Sequence, residues 1–355
     1  MPPLSRCRAG TAHKSDQIFG CYRQHDVTSP GPKRHGVDGA APNVGLATQA
    51  AKRLVGEIGS VLAGSPEVLR ASVACLLARG HLMIEDVPGV GKTVLARALA
   101  AAAGVGYSRV QCTADLLPSD VTGISIYHEP SAEFRFQPGP VFANLVLVDE
   151  INRASPRTQS ALLEAMEESQ VTVDGITRPL PRPFMVVATQ NPVEYEGTFP
   201  LPEAQLDRFM MRLHLGYPGA DDEARLLLGQ SGAEHLSRVE PVSDESGLRM
   251  AMEAVDDVHV DPSIADYVVQ IAAATRADER LMLGVSPRGS LMVLRAAKAW
   301  ALLADRDYVL PDDIQDLTPV VLAHRLVLEP SARTSGDATD ILAQLLDRTP
   351  VPRSI

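Results

Sequence analysis

Two adjacent carboxylates, Asp149 and Glu150, close the apolar run 145–148 in the stretch NLVLVDEINR. An apolar run of this kind is typical of a buried strand. Two acids at its end suit general acid–base chemistry on an organic substrate, or the binding of a metal ion and an attacking water molecule. Taken alone, such a pair is more often a solvated strand end, so its meaning depends on what accompanies it.

A glycine-rich turn lies upstream of these acids. Residues 86–93, DVPGVGKT, match the phosphate-binding pattern GxxxxGK[ST], except that Asp86 stands at the first glycine position. Glycines there let backbone N–H groups close around a phosphate, and the N-terminus of the following helix favours an anion. A lysine in this pattern reaches the β- and γ-phosphates. The predicted nucleotide-binding residues are Pro88, Gly89, Val90, Gly91, Lys92, Thr93 and Val94.

The phosphate loop gives the two acids separate tasks. Successive strand residues point apart, so the acids need not compete for one site. Asp149 is expected to hold Mg²⁺ together with the Thr93 hydroxyl, while Glu150 orients and polarises the water that attacks the γ-phosphate. The cofactors predicted from these residues are ATP and Mg²⁺.

Asn191 follows the next candidate strand, 183–189. Its amide can donate to the γ-phosphate and accept from the attacking water, although an Asn before Pro192 is also a common turn residue. Arg288, in Ser-Pro-Arg at the start of a helix, is expected to face the nucleotide across a domain cleft. As an isolated residue, it would more often be solvated.

Arg208 lies in LPEAQLDRF, on a predicted short helix. It is a candidate arginine finger, offered to the γ-phosphate of a neighbouring subunit. The alternative is a surface ion pair with Asp207 or Glu203.

Helices and strands alternate around these motifs, which predicts an α/β fold with a parallel sheet covered on both faces. The predicted helices there are 65–80 and 94–103, and the strands are 81–86, 107–112, 143–149 and 183–189. Two hairpins interrupt the alternation at 123–139 and 170–180, the second around Asp174-Gly175. After residue 219 only helical patterns remain, which indicates a smaller all-helical domain. These patterns lie at 221–230, 263–276, 287–304, 311–324 and 336–347.

Composition excludes some classes of protein. The chain is 45% hydrophobic but 4% aromatic, which favours a helix-rich α/β interior, and its net charge of -11 argues against general affinity for nucleic acids or anionic membranes. The four scattered cysteines form no metal-ligand spacing, so core or incidental thiols in a reducing compartment are expected. With no signal peptide or apolar span recognisable, we expect a cytoplasmic protein. Residues 1–45 lack periodicity and are predicted to be a disordered extension, unless translation starts downstream.

Several longer stretches of the sequence resemble the MoxR family of AAA+ ATPases. The resemblance rests on VPGVGKT, QCTADLLPSDVTG, FQPGPVFANLVLVDEINRASPRTQSALLEAMEESQVTVDG, ATQNPVEYEGTFPLPEAQLDRF and SPRGSLMVLRAAKAWALLADRDYVLPDDI, and extends over about residues 55–352. It implies a parallel-sheet P-loop NTPase core at 46–217, with a helix-2 insert at 123–139 and a β-hairpin insertion at 170–180. A small helical lid would follow at 218–355.

The resemblance also implies roles for residues and partners. Lys92, Thr93, Asp149 and Glu150 match the Walker residues. Asn191 matches sensor 1, Arg208 the arginine finger and Arg288 sensor 2. Family members form ring-shaped hexamers with ATP between subunits, and act as chaperone-like remodellers in cofactor insertion or complex maturation. They often work alongside proteins with a von Willebrand factor A domain.

Some features stay open at this level. The stretch before the first strand departs from the family, so the base pocket is placed only within 61–64, and Asn152 and Arg153 have no assigned role. A nucleic-acid-dependent AAA+ motor or clamp loader is an alternative, as is a nucleotide-controlled scaffold that switches without turnover. DNA or RNA stimulation of the ATPase would favour the first, and absence of phosphate release the second.

Overall fold

The computed structural model describes residues 42–62, 64–192, 197–229, 232–332 and 337–352. Most of the predicted N-terminal extension, up to residue 41, and residue 63 of the predicted base pocket therefore lie outside the described residues. The first helix begins at Pro42, inside the range expected to be disordered. Within the described ranges, no helix combines the length and the apolar character needed to cross a membrane.

The elements alternate in the first part of the chain and are mainly helical after it. In chain order they are α1 Pro42–Val61, α2 Pro66–Leu77, β1 Leu82–Glu85, α3 Lys92–Ala103, β2 Tyr107–Gln111, α4 Pro118–Thr122, β3 Gly123–His128, β4 Glu133–Pro138, β5 Leu145–Asp149, α5 Pro156–Glu168, β6 Gln170–Val173, β7 Ile176–Pro179, β8 Met185–Gln190, α6 Glu203–Leu206, β9 Met211–Leu213, α7 Ala220–Leu227, α8 Glu245–Asp256, α9 Pro262–Ala277, β10 Leu281–Leu283, α10 Pro287–Leu303, α11 Pro311–Leu322, β11 Val327–Leu328 and α12 Ala338–Arg348.

The central sheet has five parallel strands in the order β2-β5-β8-β1-β9. Alternate residues of its strands enter two apolar clusters. Leu82 of β1 joins the cluster with α1 and α3, whereas Met83 joins the cluster with α5. Both faces are therefore covered, as the apolar strands predict. The parallel register places Gln111 beside Asp149 and Glu85 beside Gln190, so polar residues collect at the carboxyl edge.

Both predicted hairpins are confirmed. β3 pairs with β4, and β6 pairs with β7 through Asp174 and Gly175, which both have positive φ. That pair of left-handed residues is the geometry an Asp-Gly hairpin turn requires. The β3–β4 hairpin exposes apolar side chains, among them Phe134 at 73%.

The second part of the chain is not purely helical. A short antiparallel pair, β10 with β11, interrupts the helices and corrects the expectation of an all-helical domain. These strands span three and two residues, too few to show a period-two pattern in the sequence. Among the α-helices of this part, α8 was not predicted; its N-cap Asp244 accepts a hydrogen bond from Gly247 N–H. An Asp before an amphipathic segment is a start signal that could have located it.

The helical part packs directly on the part that contains the parallel sheet. α8 and α10 lie against α1 and α2, and one apolar cluster runs from β1 and β5 into α10 and α11. The two parts therefore share a core along the face covered by α1 and α2. Relative movement of the lid must disturb this cluster or carry it along.

Candidate functional site

The phosphate loop connects β1 to α3. Gly89 and Gly91 have φ of 87° and 100°, in the left-handed region that side chains rarely adopt. At Gly91, which caps α3, an added Cβ would also lie 2.8 Å from Leu62 Cδ1. Glycine is thus required at the helix N-terminus, where backbone N–H groups and the helix dipole favour a phosphate.

Asp86 braces this loop, which explains its presence in place of glycine. Its Oδ1 accepts from Val87 N–H at 2.8 Å, and its Oδ2 accepts from Gly216 N–H at 2.7 Å, beyond β9. Lys92 Nζ donates to the Asp86 backbone carbonyl at 2.5 Å. The carboxylate therefore ties the loop to the edge of the sheet, a role that glycine could not fill.

A cleft of about 340 Å³ opens at this loop. It collects residues from the loop, from the end of β5 and from the end of β8. Its lining consists of Pro88, Gly89, Gly91, Lys92, Thr93, Val94, Asp149, Glu150 and Asn191. Of the predicted loop residues, Val90 is buried and packs in the core instead. The structure thus brings the loop, both acids and Asn191 to one place.

Asp149 is buried at the end of β5. Its Oδ1 accepts from Thr189 Oγ1 at 2.6 Å, and its Oδ2 accepts from Arg109 Nη2 at 2.7 Å. These donors hold the carboxylate toward the cleft that Thr93 also lines. A carboxylate and a hydroxyl facing one cleft are the oxygen donors that Mg²⁺ prefers.

Glu150 lies just beyond the strand, with a left-handed φ of 56°. Its N–H donates to Thr189 Oγ1 at 2.9 Å. Its Oε2 accepts from Gln111 Nε2 at 3.2 Å and lies 3.4 Å from Arg153 Nε. The expectation that the two acids diverge as alternating strand residues is therefore wrong in its cause, because a change in backbone conformation after Asp149 separates them.

Thr189 serves both acids, so removing its hydroxyl should slow the reaction. In Thr189→Val, we expect kcat for ATP hydrolysis to fall roughly tenfold, since about 1.4 kcal/mol of transition-state positioning is one decade. The free energy of unfolding should fall by about 1–3 kcal/mol because buried partners lose a hydrogen bond. Steady-state phosphate release and urea unfolding measure these effects. Thr189→Ser keeps the hydroxyl and should approach wild-type kcat; equal losses in both variants would contradict the role.

Cys112 is a free, buried cysteine directly after β2. Its backbone N–H donates to the Asp149 carbonyl at 2.9 Å, and burial raises the pKa of the thiol to about 12. Cys75 is also free and buried. These two cysteines are core thiols, as the sequence predicts.

Two predicted arginines lie away from the cleft. Arg208 Nε is 3.1 Å from Glu167 Oε2, and Arg288 Nη1 is 2.9 Å from Glu167 Oε1. Arg288 is not among the residues that line the phosphate-loop cleft of its own chain, and its expected role toward the nucleotide stays a prediction. The helix that carries Arg288, α10, packs against α1 and α2. Arg208 pairs with Glu167 of α5 rather than with Asp207 or Glu203.

Comparison with known proteins agrees with this geometry. The model of the ATPase family associated with various cellular activities (AAA) matches residues 81–211, and an AAA lid model matches residues 273–345. Chaperone MoxR1 of Mycobacterium tuberculosis is 39% identical over 318 residues, which cover 87% of this chain and 84% of that protein. The chain belongs to the MoxR family of AAA+ ATPases.

Two other matches also extend over most of the chain. The uncharacterized protein YeaC of Bacillus subtilis is 51% identical over 301 residues, covering 84% of this chain and 94% of that one. A crystal structure described as a candidate ATPase from Cytophaga hutchinsonii superposes with a TM-score of 0.81 at 35% identity, covering 88% and 97% of the two chains. This family accounts for the parallel sheet and the helical lid, and its activity is ATP hydrolysis.

Sequence reasoning missed several supporting residues of this MoxR-family site. Arg109, Gln111 and Thr189 hold the two acids, yet each is a common strand residue without a motif of its own. Their signal is positional. Gln111 and Thr189 lie at or near the carboxyl ends of β2 and β8, the strands that flank β5, and Arg109 lies two residues before Gln111 on β2. Arg153, left unassigned, contacts Glu150, and the backbone carbonyl of Asn152 accepts from Phe199 N–H at 2.6 Å.

Proposed function

We propose that this MoxR-family ATPase works as a ring of identical subunits and uses ATP turnover to remodel or mature a partner protein complex. The observation that supports assembly into a ring is the contact of both Arg208 and Arg288 with Glu167, away from the chain's own cleft. Two arginines held together by one carboxylate, outside the lining of their own chain's cleft, suit a site on a neighbouring subunit.

The proposed chemistry divides the hydrolysis among the cleft residues. The loop N–H groups and Lys92 bind the β- and γ-phosphates. Glu150 accepts a proton from water as the water oxygen attacks the γ-phosphorus, and Asn191 orients that water. The bond from the γ-phosphorus to the bridging oxygen breaks, which leaves ADP and inorganic phosphate. Glu150 then returns the proton to solvent.

Thr93 and Asp149 would hold Mg²⁺ in this cleft. No cluster of three or more His, Cys, Asp or Glu side chains suited to a metal occurs among the described residues. The ion would therefore complete its shell with phosphate oxygens and water, as is usual for nucleotide sites. When bound, it neutralises charge on the β- and γ-phosphates.

Arg208 would act in trans in this proposal, and Arg288 would accompany it. A head-to-tail contact that closes into a ring gives every subunit one neighbour ahead and one behind. The Glu167 surface of one subunit then meets the phosphate-loop cleft of the next, and the two arginines exchange the Glu167 carboxylate for the γ-phosphate. A hexamer is the ring expected from the family resemblance.

The proposed partner is a protein rather than a nucleic acid. The relative MoxR1 is named a chaperone, and the net charge of -11 disfavours a polyanion partner. A protein with a von Willebrand factor A domain and its client enzyme complex are the partners that the family resemblance implies. The exposed apolar β3–β4 hairpin offers one surface for such contacts.

A nucleotide-locked trap tests this proposal. Glu150→Gln subunits should bind ATP without hydrolysing it, and should retain a client complex that mass spectrometry identifies. Lys92→Ala subunits, which bind ATP poorly, are the matched control and should lose the same proteins. Identical proteins on both variants would count against nucleotide-controlled remodelling. Stimulation of wild-type phosphate release by DNA or RNA would support the motor alternative instead.

A further inference from the structure

A buried arginine of the lid, Arg325, contacts the segment that carries Arg208. It ends a short 3₁₀ helix, Ala323–Arg325, directly after α11, and its side chain is 2% exposed. Burial lowers the pKa of Arg325 to about 10, which leaves the guanidinium charged at neutral pH. A buried charge of this kind persists only where its donors are satisfied.

The partners of Arg325 lie on both sides of Arg208 in the chain. Arg325 Nε donates to Asp207 Oδ1 at 2.8 Å, and Nη2 donates to the backbone carbonyls of Asp207 at 3.2 Å and Phe209 at 2.6 Å. Nη1 donates to the Met210 carbonyl at 3.3 Å. These acceptors belong to the turn between α6 and β9, so a lid residue holds in place the turn that carries Arg208.

The same guanidinium also touches the helix that carries Arg288. Arg325 Nη2 lies 2.6 Å from Met292 Sδ, and a Cβ added to Gly289 would lie 3.2 Å from Arg325 Cδ. Both residues are on α10. Arg325 therefore lies between the two elements that bring Arg208 and Arg288 to Glu167.

We propose that Arg325 is a positioning residue, which fixes from the lid the place where Arg208 offers its guanidinium to the neighbouring subunit's ATP. The inference rests on the proposed function, in which Arg208 acts in trans. Five donors in a planar fork can satisfy a carboxylate and several carbonyls at once, which an ammonium group cannot. A displacement of about 1 Å in a catalytic group can cost roughly 10²-fold in rate. Lid movement would thus reach the neighbouring active site through this contact.

Mixed rings separate a fault in Arg208 positioning from a fault in the subunit's own cleft. The reference mixture, Lys92→Ala with Arg208→Ala, should recover phosphate release because about one interface in four pairs an intact cleft with an intact finger. Arg325→Gln alone should lose at least about tenfold in kcat while retaining binding of a fluorescent ADP analogue. Mixed with Lys92→Ala, it should recover as the reference does. Mixed with Arg208→Ala, it should not, since neither subunit then supplies a finger.

The opposite pattern overturns the inference. Recovery of Arg325→Gln with Arg208→Ala would place the fault in the cleft of the Arg325→Gln subunit, and full activity of Arg325→Gln alone would remove the role. If the reference mixture itself fails in confirmed mixed rings, the trans finger fails and takes this inference with it.

Two further variants guard against a general loss of lid stability. Arg306→Gln breaks another partly buried lid pair, in which Arg306 Nη1 donates to Asp313 Oδ2 at 2.8 Å, and it should keep wild-type kcat. If it instead shows the same mixing pattern as Arg325→Gln, the effect is not specific to Arg325 and the inference fails. Should Arg325→Gln not fold, Asp207→Asn weakens the same contact from the other side and is expected to behave as Arg325→Gln in each mixture.

Discussion

Replacement of Glu150 by glutamine should lower kcat for ATP hydrolysis by roughly 10²- to 10⁴-fold, the usual contribution of a positioned general base. The amide has nearly the same shape but cannot accept the proton that the attacking water gives up. ATP binding should be retained because the phosphate loop, Lys92 and Thr93 are unchanged. A phosphate-release assay and equilibrium binding of a fluorescent ATP analogue measure the two effects separately.

The environment of Glu150 makes this replacement a clean test. Its backbone N–H is held by Thr189 and its carboxylate by Gln111 and Arg153, so the amide has partners to keep it in place. Glu129→Gln, on the exposed turn between β3 and β4, is a control that changes the charge by the same amount and should leave kcat unaltered. Wild-type turnover by Glu150→Gln would exclude Glu150 as the catalytic base.

Replacement of Arg208 by alanine should lower kcat by about 10³- to 10⁵-fold, the range found where an arginine finger stabilises the transferring phosphoryl group. Binding of ADP should change little, because Arg208 does not line the cleft of its own chain. The loss should therefore appear in turnover rather than in nucleotide affinity. Single-turnover phosphate release and ADP titration distinguish the two.

Two further variants, one at Arg208 and one at its partner Glu167, define what the Arg208 guanidinium contributes to kcat. Arg208→Lys keeps the charge but loses the planar fork, so kcat should stay well below wild type. Glu167→Gln removes the carboxylate that Arg208 and Arg288 share and leaves both guanidinium groups in place. It should affect kcat far less than Arg208→Ala does. A loss of ADP affinity in Arg208→Ala would instead indicate a role in its own cleft.

Motifs with a local geometry were predictable from the sequence. The phosphate loop needs glycine at positions 89 and 91 because both residues adopt positive φ. The presence of glycine in the sequence therefore predicts this backbone conformation. Asp149 and Asn191 follow apolar strands, and parallel strands deliver their carboxyl ends to one edge of the sheet. For these residues, spacing and strand direction were enough to place them at one cleft.

Features set by packing between distant segments were not predictable. The place of Arg288 depends on where α10 rests, and no local pattern says that it packs against α1 and α2. Thr189 and Arg325 act through hydrogen bonds to residues far away in the chain. Asp86 departs from the loop pattern because its carboxylate accepts a hydrogen bond from the distant Gly216 N–H. Residue types alone do not reveal such pairs.

Whether a neighbouring subunit completes each ATP site is tested by mixing two inactive variants. Lys92→Ala subunits have an intact Arg208 and a disabled cleft, whereas Arg208→Ala subunits have the reverse. Phosphate release should be negligible for each variant alone, and should rise on mixing toward about a quarter of the wild-type rate, as expected for random assembly. No recovery, in rings shown by mass spectrometry to contain both variants, would exclude completion of the ATP site by Arg208 of a neighbouring subunit.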